Sequence, residues 1–463
     1  MLTLAEVLEA TGGTVLGPSA RRPESGFTGV VVDSRQVRPG VLFVALKGQT
    51  HDGHTFVAQA FQQGAGAALV ERIPGACPEG APLVAVPSTQ AALEQMARYA
   101  LAQHPRLEVV GITGSLGKTT TKEVAAGVLS SERQVLKSEG NLNSEIGLPL
   151  TILNGLSPRH EIAVLEMAMY ALGDIRLLAQ LARPRIGIVT AVLPVHLERL
   201  GSIERIQQAK QELVEELPED GVAVLNADDP RVVQMAAAAR GRVVRYGVSE
   251  EAEVRAEQIS SQGLRGVEFD LLHEGRRRHV RLPLLGAHSV HAALAATAVA
   301  LEESLSLSDI AQALHQLTPS LRLLVVDGIN GSRIIDDSYN ASPESVLAAL
   351  NLLRELPGRR KIAVLGDMLE LGTEEEPGHR RVGTRAANIV DLLVTYGTRS
   401  WTTADAARRA GLERDQVLEA DSHAQIIEYL DRHLGPDDDV LVKGSLAMGM
   451  SAVVRGIRAE GAR

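Results

Sequence analysis

The chain has 463 residues, 45% of them hydrophobic, and carries a net charge of −10 at pH 7. This length suggests about three domains, while the acidic balance and only 3% aromatic residues argue against nucleic-acid binding, which needs basic surfaces. The single cysteine, Cys77, excludes an internal disulfide framework and a cysteine metal cluster.

The N-terminus bears on where the protein works. Its opening residues, MLTLAEVLEATGG, lack the basic start and the long apolar core of a signal peptide. No later stretch approaches the roughly 18 uninterrupted apolar residues of a membrane span. We therefore expect a soluble, cytoplasmic protein without a membrane span, which meets a small or acidic substrate with local positive groups.

The first segment, residues 1–105, is predicted to be a small α/β module. Short apolar runs typical of buried strands occur in GVVVDSR, GVLFVAL, AALV and LVAVP. A helix is predicted in TQAALEQMARYALAQ, and the break at His104-Pro105 ends the segment.

Two longer α/β segments follow. In residues 106–318 the predicted strands EVVGI, IAVLEM, RIGIVTAV and GVAVLNADD alternate with helical stretches, which indicates a mostly parallel sheet with crossover helices. The runs VEFDLL and HVRLPLL suggest an added antiparallel ribbon. In residues 319–463 a second alternating series, SRIIDDSYN, KIAVLGDMLELG, DLLVTYG and DDVLVKGS, predicts a Rossmann-like domain.

A phosphate-binding loop is predicted in GITGSLGKTTTKE, residues 111–123, although Ile112 stands where the common loop has its first glycine. The glycines let backbone N–H groups converge on an anion before a helix that begins near Thr119. Lys118 is expected to meet the β- and γ-phosphates, and the Thr119 hydroxyl to bind magnesium. The nucleotide-binding residues predicted here are Gly114, Ser115, Gly117, Lys118, Thr119 and Thr120. The alternative is a glycine-rich turn before an ordinary helix.

Two further residues follow predicted strands of the central segment. Glu166 ends IAVLE, and the carboxyl ends of parallel strands are where an open α/β sheet places its ligands, so this carboxylate could hold magnesium. A helix cap or a solvated glutamate is the alternative. His196 follows GIVTAVLPV and could bind metal or orient a carboxylate, although an isolated histidine can equally be packed without such a role.

Lys210 lies on the inward face of a predicted helix. In SIERIQQAKQELVEEL the apolar stripe runs through Ile203, Ile206, Leu213 and Leu217, and position 210 continues it. A buried ammonium is costly, so the lysine should extend to solvent, which is the ordinary outcome, meet a carboxylate, or have changed its chemistry. Periodicity does not choose among these.

Several motifs together resemble one family. They are GITGSLGKTTTKE, GNLNSEIGLPLTIL, EMAMYALGDI, VHLERLGSIERIQQAKQEL, LNADD, IIDDSYNASPESVLAAL, VLGDMLELG and VKGS, in that order. This order resembles the Mur ligases, and most closely the branch that adds D-alanyl-D-alanine to UDP-N-acetylmuramoyl-tripeptide. The likeness covers nearly the whole chain, because VVDSRQVRPGVLFVALKGQTHDGHTFVAQAFQQGAGAALV resembles the family's N-terminal module for the UDP-linked substrate.

The resemblance implies an α/β fold of three domains: an N-terminal substrate module, a central ATPase domain and a C-terminal Rossmann-like domain that closes over the site. The implied reaction is ATP-dependent amide formation through an acyl phosphate, with Mg²⁺, by an enzyme that we expect to act as a monomer. Phosphorylation suits this task because a carboxylate is a poor acyl donor.

The resemblance also implies roles for individual residues. Thr119 and Glu166 match one magnesium site, and His196 with Lys210 match a second, where the family's lysine is typically carbamylated. The implied catalytic residues are Lys118, Lys210, His196 and Arg322. The implied nucleotide contacts beyond the loop are His288, Arg322, Asp336 and Asn340. The implied substrate contacts are Ser34, Arg35, Asn141 and Asn143 for the UDP-linked substrate, and Lys443 and Ser445 for the dipeptide.

Some positions depart from the family pattern. Ser289 and Ala292 replace two asparagines of the adenine-side helix, and Ser144, Ala191, Leu193 and Leu446 stand where other residues are common. Three hypotheses therefore stay open from sequence. The chain is this ligase, a related ligase or paralogue with another substrate, or a nucleotide-binding protein that joins nothing. Joint retention of the phosphoryl-transfer residues argues against the last.

Overall fold

The computed structural model of the protein describes residues 1–16, 26–48, 51–75, 77–78, 80–195, 197–318 and 324–459. It consists of three α/β units, each built on its own sheet. The helices are α1 Leu4–Thr11, α2 Val57–Gln62, α3 Thr89–Ala102, α4 Lys118–Leu129, α5 Gly147–Gly155, α6 Asp174–Ala182, α7 Leu197–Leu200, α8 Ile203–Glu215, α9 Pro230–Gln234, α10 Ser289–Glu302, α11 Leu307–His315, α12 Pro343–Glu355, α13 Glu375–Ala387, α14 Ser400–Arg409, α15 His423–His433 and α16 Ser451–Ile457.

The strands are distributed along the whole chain. They are β1 Thr14–Leu16, β2 Val30–Val31, β3 Leu42–Val44, β4 Ala67–Val70, β5 Leu83–Ala85, β6 Glu108–Thr113, β7 Val135–Lys137, β8 Ile162–Glu166, β9 Ile186–Val189, β10 Val222–Asn226, β11 Arg242–Gly247, β12 Val254–Ser261, β13 Val267–His273, β14 Arg276–Leu282, β15 Leu324–Asp327, β16 Arg333–Asp337, β17 Arg360–Gly366, β18 Leu392–Tyr396, β19 Val417–Ala420 and β20 Asp438–Lys443. The predicted α/β class is confirmed.

The first sheet has the order β1-β5-β4-β3-β2 and is parallel except for β1. Helix α3 packs against α5 and α6 of the second unit, and its buried residues belong to a core that continues under the second sheet. The side chain of Asn154 on α5 also bonds the N–H and C=O of Val30 on β2. The first and second units are therefore joined by packing as well as by the chain.

The second sheet has nine strands in the order β14-β13-β12-β11-β10-β9-β6-β8-β7. Strands β6 to β12 are parallel, and β13 and β14 form the predicted antiparallel ribbon at one edge. The chain places β8 on one side of β6 and β9 on the other, so the strand order reverses there. Ligands bind outside the carboxyl ends of strands at such a reversal. Ile112 pairs with Glu166, and Thr113 with Val189, so these carboxyl ends are level.

The third sheet has the order β15-β16-β20-β17-β18-β19 and is parallel except for β15. Two buried clusters cover its faces, one with α12 to α14 and one with α15 and α16. Register places Lys443 of β20 beside both Asp337 of β16 and Leu365 of β17. The predicted boundaries between the units, at residues 105/106 and 318/319, stay predictions, and one sheet lies within each predicted segment.

The second and third units touch beside α7. The Arg199 guanidinium lies 4.6 Å from the ring centroid of Tyr170 and 3.1 Å from a carboxylate oxygen of Glu370. Gly372 packs so closely that a Cβ there would lie 3.2 Å from the backbone nitrogen of Glu198. These contacts bring the loop after β17 against the segment that follows β9. Within the described ranges, no helix is both long and apolar enough to cross a membrane.

Candidate active site

The predicted phosphate loop joins β6 to α4 as a tight turn. Gly114 has φ +146° and Gly117 has φ +83°, and Gly117 caps α4 in the left-handed conformation. Side chains rarely adopt these angles, so the turn depends on glycine. The N-terminus of α4 therefore opens toward the end of the sheet, where free N–H groups favour an anion. Thr120 is half-buried in the first turn of this helix.

Ser115 and Thr190 pin the loop to the segment after β9. The Ser115 hydroxyl donates to Leu193 O at 3.1 Å and accepts from Leu193 N at 2.9 Å, while Ser115 N donates to Ala191 O at 2.8 Å. Thr190 Oγ1 donates to Leu116 O at 2.6 Å. Because Ala191 and Leu193 contribute backbone groups only, their departure from the family pattern leaves this attachment intact.

Replacing Gly114 with alanine is expected to damage the loop. A Cβ there would lie 1.8 Å from Thr190 Oγ1, and the φ of +146° adds strain of about 1–3 kcal/mol. We expect ADP affinity to fall at least about tenfold, measured by calorimetry, with lower thermal stability. Gly275→Ala is the control, because that glycine has φ +72° but open space around it. Equal effects of both substitutions on ADP affinity would contradict the role given to close packing.

Glu166 lies at the centre of a buried polar cluster beside the loop. Its side chain is 1% exposed, with one oxygen 2.8 Å from Thr119 Oγ1 and the other 2.9 Å from Asn143 Nδ2. No lysine or arginine within the described part of the chain pairs with this carboxylate. A buried anion without a cation is costly, so the position favours a bound metal ion. The alternative of a solvated glutamate is excluded by its burial.

The donor set suits a hard cation. Thr119 and Glu166 offer a hydroxyl and a carboxylate, the oxygen ligands that Mg²⁺ takes alongside phosphate oxygens and water. Among the described residues, no group of three histidine, cysteine or acidic side chains is placed to hold a metal by itself. This fits magnesium, which binds through one or two protein ligands, better than a metal enclosed by protein.

Lys118 and Lys210 lie on two different helices, close enough for their charges to interact. The Lys118 ammonium donates to Gly114 O at 2.7 Å and so folds over the loop. Lys210 on α8 is 2% exposed, so the expectation that it would extend to solvent is wrong. No described residue accepts a hydrogen bond from its Nζ. Burial first, and the positive charge of Lys118 second, lower the pKa of the Lys210 ammonium well below its usual value.

Two predicted site residues, His196 and Arg322, lie outside the described residues. In the sequence, His196 follows the segment that Ser115 holds against the phosphate loop, and Arg322 stands two residues before β15. Their metal-binding, catalytic and nucleotide-binding roles stay predictions.

At the third sheet, Lys443 clamps the loop that follows β16. Its ammonium is buried, 2.5 Å from Asp337 Oδ2 and 2.8 Å from Asn340 O. Asp336 accepts from Ser338 N, and the Asn340 amide oxygen accepts from Ala341 N, which shapes the same loop. This arrangement leaves the Asn340 residue exposed.

Ser445 holds a neighbouring loop. Its hydroxyl accepts from Leu369 N at 2.9 Å, and its N–H donates to Asp367 O at 3.0 Å. Ser445 is 4% exposed, whereas the adjacent Leu446 is 59% exposed. The dipeptide-binding role of Lys443 and Ser445 stays a prediction, and both side chains organise the loops at the carboxyl end of this sheet.

His288 precedes α10. The residue is partly accessible to solvent, but nearby protein atoms desolvate its ring. This desolvation is the largest cause that lowers the pKa of His288 to about 4, and the positive charges of Lys443 and His291 lower it further. The imidazole is therefore neutral at pH 7. Leu285, in the segment just before this helix, packs against the buried core of the third unit.

Ser289 and Ala292 stand where the family has asparagine, and neither offers a side-chain amide to a ligand. Ser289 Oγ donates to Gly286 O at 2.8 Å, and Ala292 is buried in the apolar core. His291, on the same helix, pairs with Asp228 at 2.8 Å. Ser144, at another departure, accepts from the backbone N–H groups of Ile146 and Gly147 and so starts α5.

The residues predicted to contact the UDP-linked substrate lie in two places. Ser34 and Arg35 form a short 3-10 helix after β2, where the Arg35 guanidinium lies 2.6 Å from Asp33 and lowers the pKa of that carboxyl to about 2. Asn143 contacts Glu166, and Asn141 is exposed beside it. The segment with Asn141 and Asn143 continues into α5, whose Asn154 is hydrogen-bonded to Val30 of β2. One stretch of chain therefore contacts both the first sheet and Glu166.

Sequence reasoning missed two groups around Glu166. Ser138 accepts a hydrogen bond from the Glu166 backbone, and Lys122 is fully buried on α4. The burial of Lys122 could have been found by the argument used for Lys210, because it lies on the stripe of buried residues that includes Ala125, Ala126 and Leu129. Nothing in the local sequence indicates the role of Ser138.

Three family profiles match the chain over most of its length. They are described as the Mur ligase family catalytic domain, over residues 26–119, the Mur ligase middle domain, over residues 112–300, and the Mur ligase glutamate ligase domain, over residues 321–446. Each profile falls largely on one of the three sheets.

Full-length relatives and solved structures agree with these profiles. The chain is 36% identical over 456 residues to a UDP-N-acetylmuramoyl-tripeptide--D-alanyl-D-alanine ligase of Bacillus subtilis, covering 98% of this chain and 97% of the relative. MurF from Acinetobacter baumannii superposes with a TM-score of 0.86 at 30% identity, covering 98% of both chains. MurF of Thermotoga maritima in complex with ADP superposes with a TM-score of 0.79 at 31% identity, covering 92% of this chain and 96% of that one. The chain therefore belongs to the Mur ligase family, in the group of the UDP-N-acetylmuramoyl-tripeptide--D-alanyl-D-alanine ligases.

Proposed function

We propose that the protein joins D-alanyl-D-alanine to UDP-N-acetylmuramoyl-tripeptide with ATP, a step of peptidoglycan precursor synthesis, and that it works as a monomer in the cytoplasm. The similarity over the full chain supports the substrates. The observation that carries the chemistry is the buried Glu166 carboxylate, hydrogen-bonded to Thr119 in the first turn after the phosphate loop. In P-loop NTPases a loop hydroxyl and a nearby carboxylate are the side chains that hold the magnesium ion used in phosphoryl transfer.

The reaction proceeds in two steps. The terminal carboxylate of the tripeptide attacks the γ-phosphorus of ATP, which forms an acyl phosphate and releases ADP. The amine of D-alanyl-D-alanine then attacks the acyl carbon, and the tetrahedral intermediate loses phosphate and a proton to give the amide. Lys118 and the loop N–H groups offset the negative charge around the transferred phosphoryl group. Closure of the third unit over the second would exclude water that could hydrolyse the acyl phosphate.

Thr119 and Glu166 are the residues that would hold magnesium, and His196 with Lys210 are proposed for a second ion. When bound, magnesium would neutralise phosphate charge. Asn143 orients the Glu166 carboxylate through its amide hydrogen bond. The Thr119 hydroxyl and the Glu166 carboxylate are oxygen ligands of the kind that magnesium prefers, which supports this assignment.

Lys210 is proposed to carry a carbamate. The neutral amine attacks carbon dioxide, forming an N–C bond and releasing a proton, and the product is an anion in place of a cation. Burial and the charge of Lys118 both lower the pKa of Lys210, which favours the reactive neutral amine. The positive charge of Lys118 would then lie near the negative charge of the carbamate on Lys210. This accounts for a fully buried lysine that has no acceptor among the described residues.

The remaining assignments concern residues that would contact the nucleotide, the UDP-linked substrate and the dipeptide. Arg322, Asp336, Asn340 and His288 are proposed to contact the nucleotide together with the loop residues. Ser34, Arg35, Asn141 and Asn143 are proposed for the UDP-linked substrate, and Lys443 and Ser445 for the dipeptide. Ser289 and Ala292 bring no amide to the adenine side, so we propose that the base is held mainly by packing and backbone groups.

An isotope experiment tests the acyl phosphate. The tripeptide substrate is prepared with ¹⁸O in its terminal carboxylate, and the released phosphate is examined by mass spectrometry. One labelled oxygen is expected in the phosphate, because the carboxylate oxygen that attacks phosphorus leaves with it. Unlabelled phosphate accompanied by the joined peptide would exclude this mechanism. Phosphate release with no joined peptide would instead favour a nucleotide-binding relative or a ligase for another substrate.

A further inference from the structure

Lys122 is a fully buried lysine that the proposed reaction does not use. It lies on α4 one turn after Lys118, and its side chain is 0% exposed. Its ammonium donates to Ser138 O at 2.6 Å and lies 3.1 Å from Glu123 Oε1. Burying an ammonium costs free energy unless it is paired, and such pairs add little net stability. The position of Lys122 therefore calls for an explanation other than overall stability.

Ser138 connects this lysine to the strand that carries Glu166. It follows β7, is fully buried, and donates from its backbone N–H to Val164 O at 3.2 Å. Its hydroxyl accepts a hydrogen bond from Glu166 N at 3.1 Å. Lys122 thus holds the carbonyl of Ser138, and the hydroxyl of Ser138 holds the backbone of Glu166.

Three groups consequently fix Glu166, each from a different element. Ser138 holds its backbone from the end of β7, Thr119 contacts one carboxylate oxygen from α4, and Asn143 contacts the other from the segment before α5. Lys122 and Thr119 are on the same helix, so the lysine sets the distance between that helix and the Glu166 strand. A shift of this helix would separate the hydroxyl from the carboxylate.

We propose that Lys122 and Ser138 are positioning residues for Glu166 and thereby set the affinity of the active site for magnesium. The inference rests on the proposed function only in taking Glu166 as a magnesium ligand. Residues that orient a metal ligand typically change metal affinity about 10–100-fold when they are removed. Neither residue touches the nucleotide phosphates in this account, so nucleotide affinity without magnesium should be unaffected.

The test compares ADP binding with and without magnesium in the full-length protein. Ser138→Ala and Lys122→Met are measured by calorimetry in excess Mg²⁺ and in EDTA, and the magnesium concentration for half-maximal ADP binding is determined. Both variants are expected to need about tenfold more magnesium, with unchanged ADP affinity in EDTA. Ser138→Thr keeps the hydroxyl acceptor and is expected to restore the magnesium dependence to within about threefold of the natural value.

Thr297→Val is the matched control. Thr297 lies on α10 in the same unit, is fully buried, and donates its hydroxyl to Ala293 O of its own helix at 2.8 Å rather than to Glu166 or its partners. It should lose a buried hydrogen bond without changing the magnesium dependence. Thermal unfolding of every variant measures the structural effect separately, and Lys122→Met decides the outcome if Ser138→Ala does not fold.

Three results would overturn the positioning role. The first is a natural magnesium dependence in a folded Ser138→Ala or Lys122→Met variant. The second is equal weakening of ADP binding with and without magnesium, which a merely structural role would produce. The third is the absence of any magnesium effect on ADP binding in the natural protein. Because the readout is binding, the inference can hold even if the natural protein proves unable to join D-alanyl-D-alanine to the tripeptide.

Discussion

Lys118→Ala is expected to reduce ATP-dependent phosphate release by about 10³-fold or more while the fold stays intact. The Lys118 ammonium lies over the loop, 2.7 Å from Gly114 O, where the β- and γ-phosphates of ATP would replace this internal contact. Alanine removes the charge that offsets the phosphoryl group, and Lys122, the other lysine of this segment, is buried with its ammonium bound to Ser138 O. Phosphate release and circular dichroism of the purified variant are the measurements.

Lys137→Ala is the control for this prediction. Lys137 belongs to the same unit, but its ammonium pairs with Glu123 at the surface, so its loss should change phosphate release by no more than about twofold. Near-normal turnover by a natively folded Lys118→Ala variant would show that residues 111–123 do not bind the ATP phosphates.

Lys210→Ala is expected to lose turnover that a short carboxylate, such as formate or acetate, partly restores. If the lysine carries a carbamate, alanine removes the anion and leaves space on the inward face of α8, which a small carboxylate can enter. Bicarbonate should not restore turnover, because the variant has no amine to carbamylate. The natural protein should lose activity in buffer depleted of carbon dioxide and regain it when bicarbonate is returned.

Carbon NMR separates the carbamate from other roles of this lysine. In ¹³C-labelled bicarbonate, the natural protein is expected to give a carbamate signal that Lys210→Ala lacks. The Lys118→Ala variant should gain no activity from carboxylates, since its defect is a missing cation. Full activity of the untreated Lys210→Ala variant would exclude a role for the carbamate. If carboxylates restore no activity and the natural protein gives no carbamate signal, Lys210 is an ordinary buried amine.

The main sheet strands could be predicted because burial on both faces gives unbroken apolar runs. The strands β6, β8, β9 and β10 all lie in such runs. Strands such as β7, only three residues long, and β15, which pairs antiparallel at an edge, were not predicted. Short strands form by pairing with a neighbour that is distant in sequence, so local pattern does not specify them.

The site was predictable where helix periodicity or a strand end fixes a residue's position. The apolar stripe of its helix correctly predicted that Lys210 faces inward. The end of an apolar run correctly predicted that Glu166 lies at the carboxyl end of a strand. Their approach to Thr119 and Lys118 depends on strand order, which residue patterns do not give. Ser138 could not be predicted, because its role arises only where β7 and β8 end side by side.

Phosphate release with single omissions shows directly whether the protein uses ATP to join the dipeptide to the tripeptide substrate. Purified protein is incubated with magnesium-ATP, UDP-N-acetylmuramoyl-tripeptide and D-alanyl-D-alanine, each left out in turn, and the products are identified by mass spectrometry. We expect sustained phosphate release only with all components, together with a UDP-N-acetylmuramoyl-pentapeptide. Phosphate release without a joined product, or no release with ATP when another nucleotide supports it, would contradict the proposed ATP-dependent ligase activity.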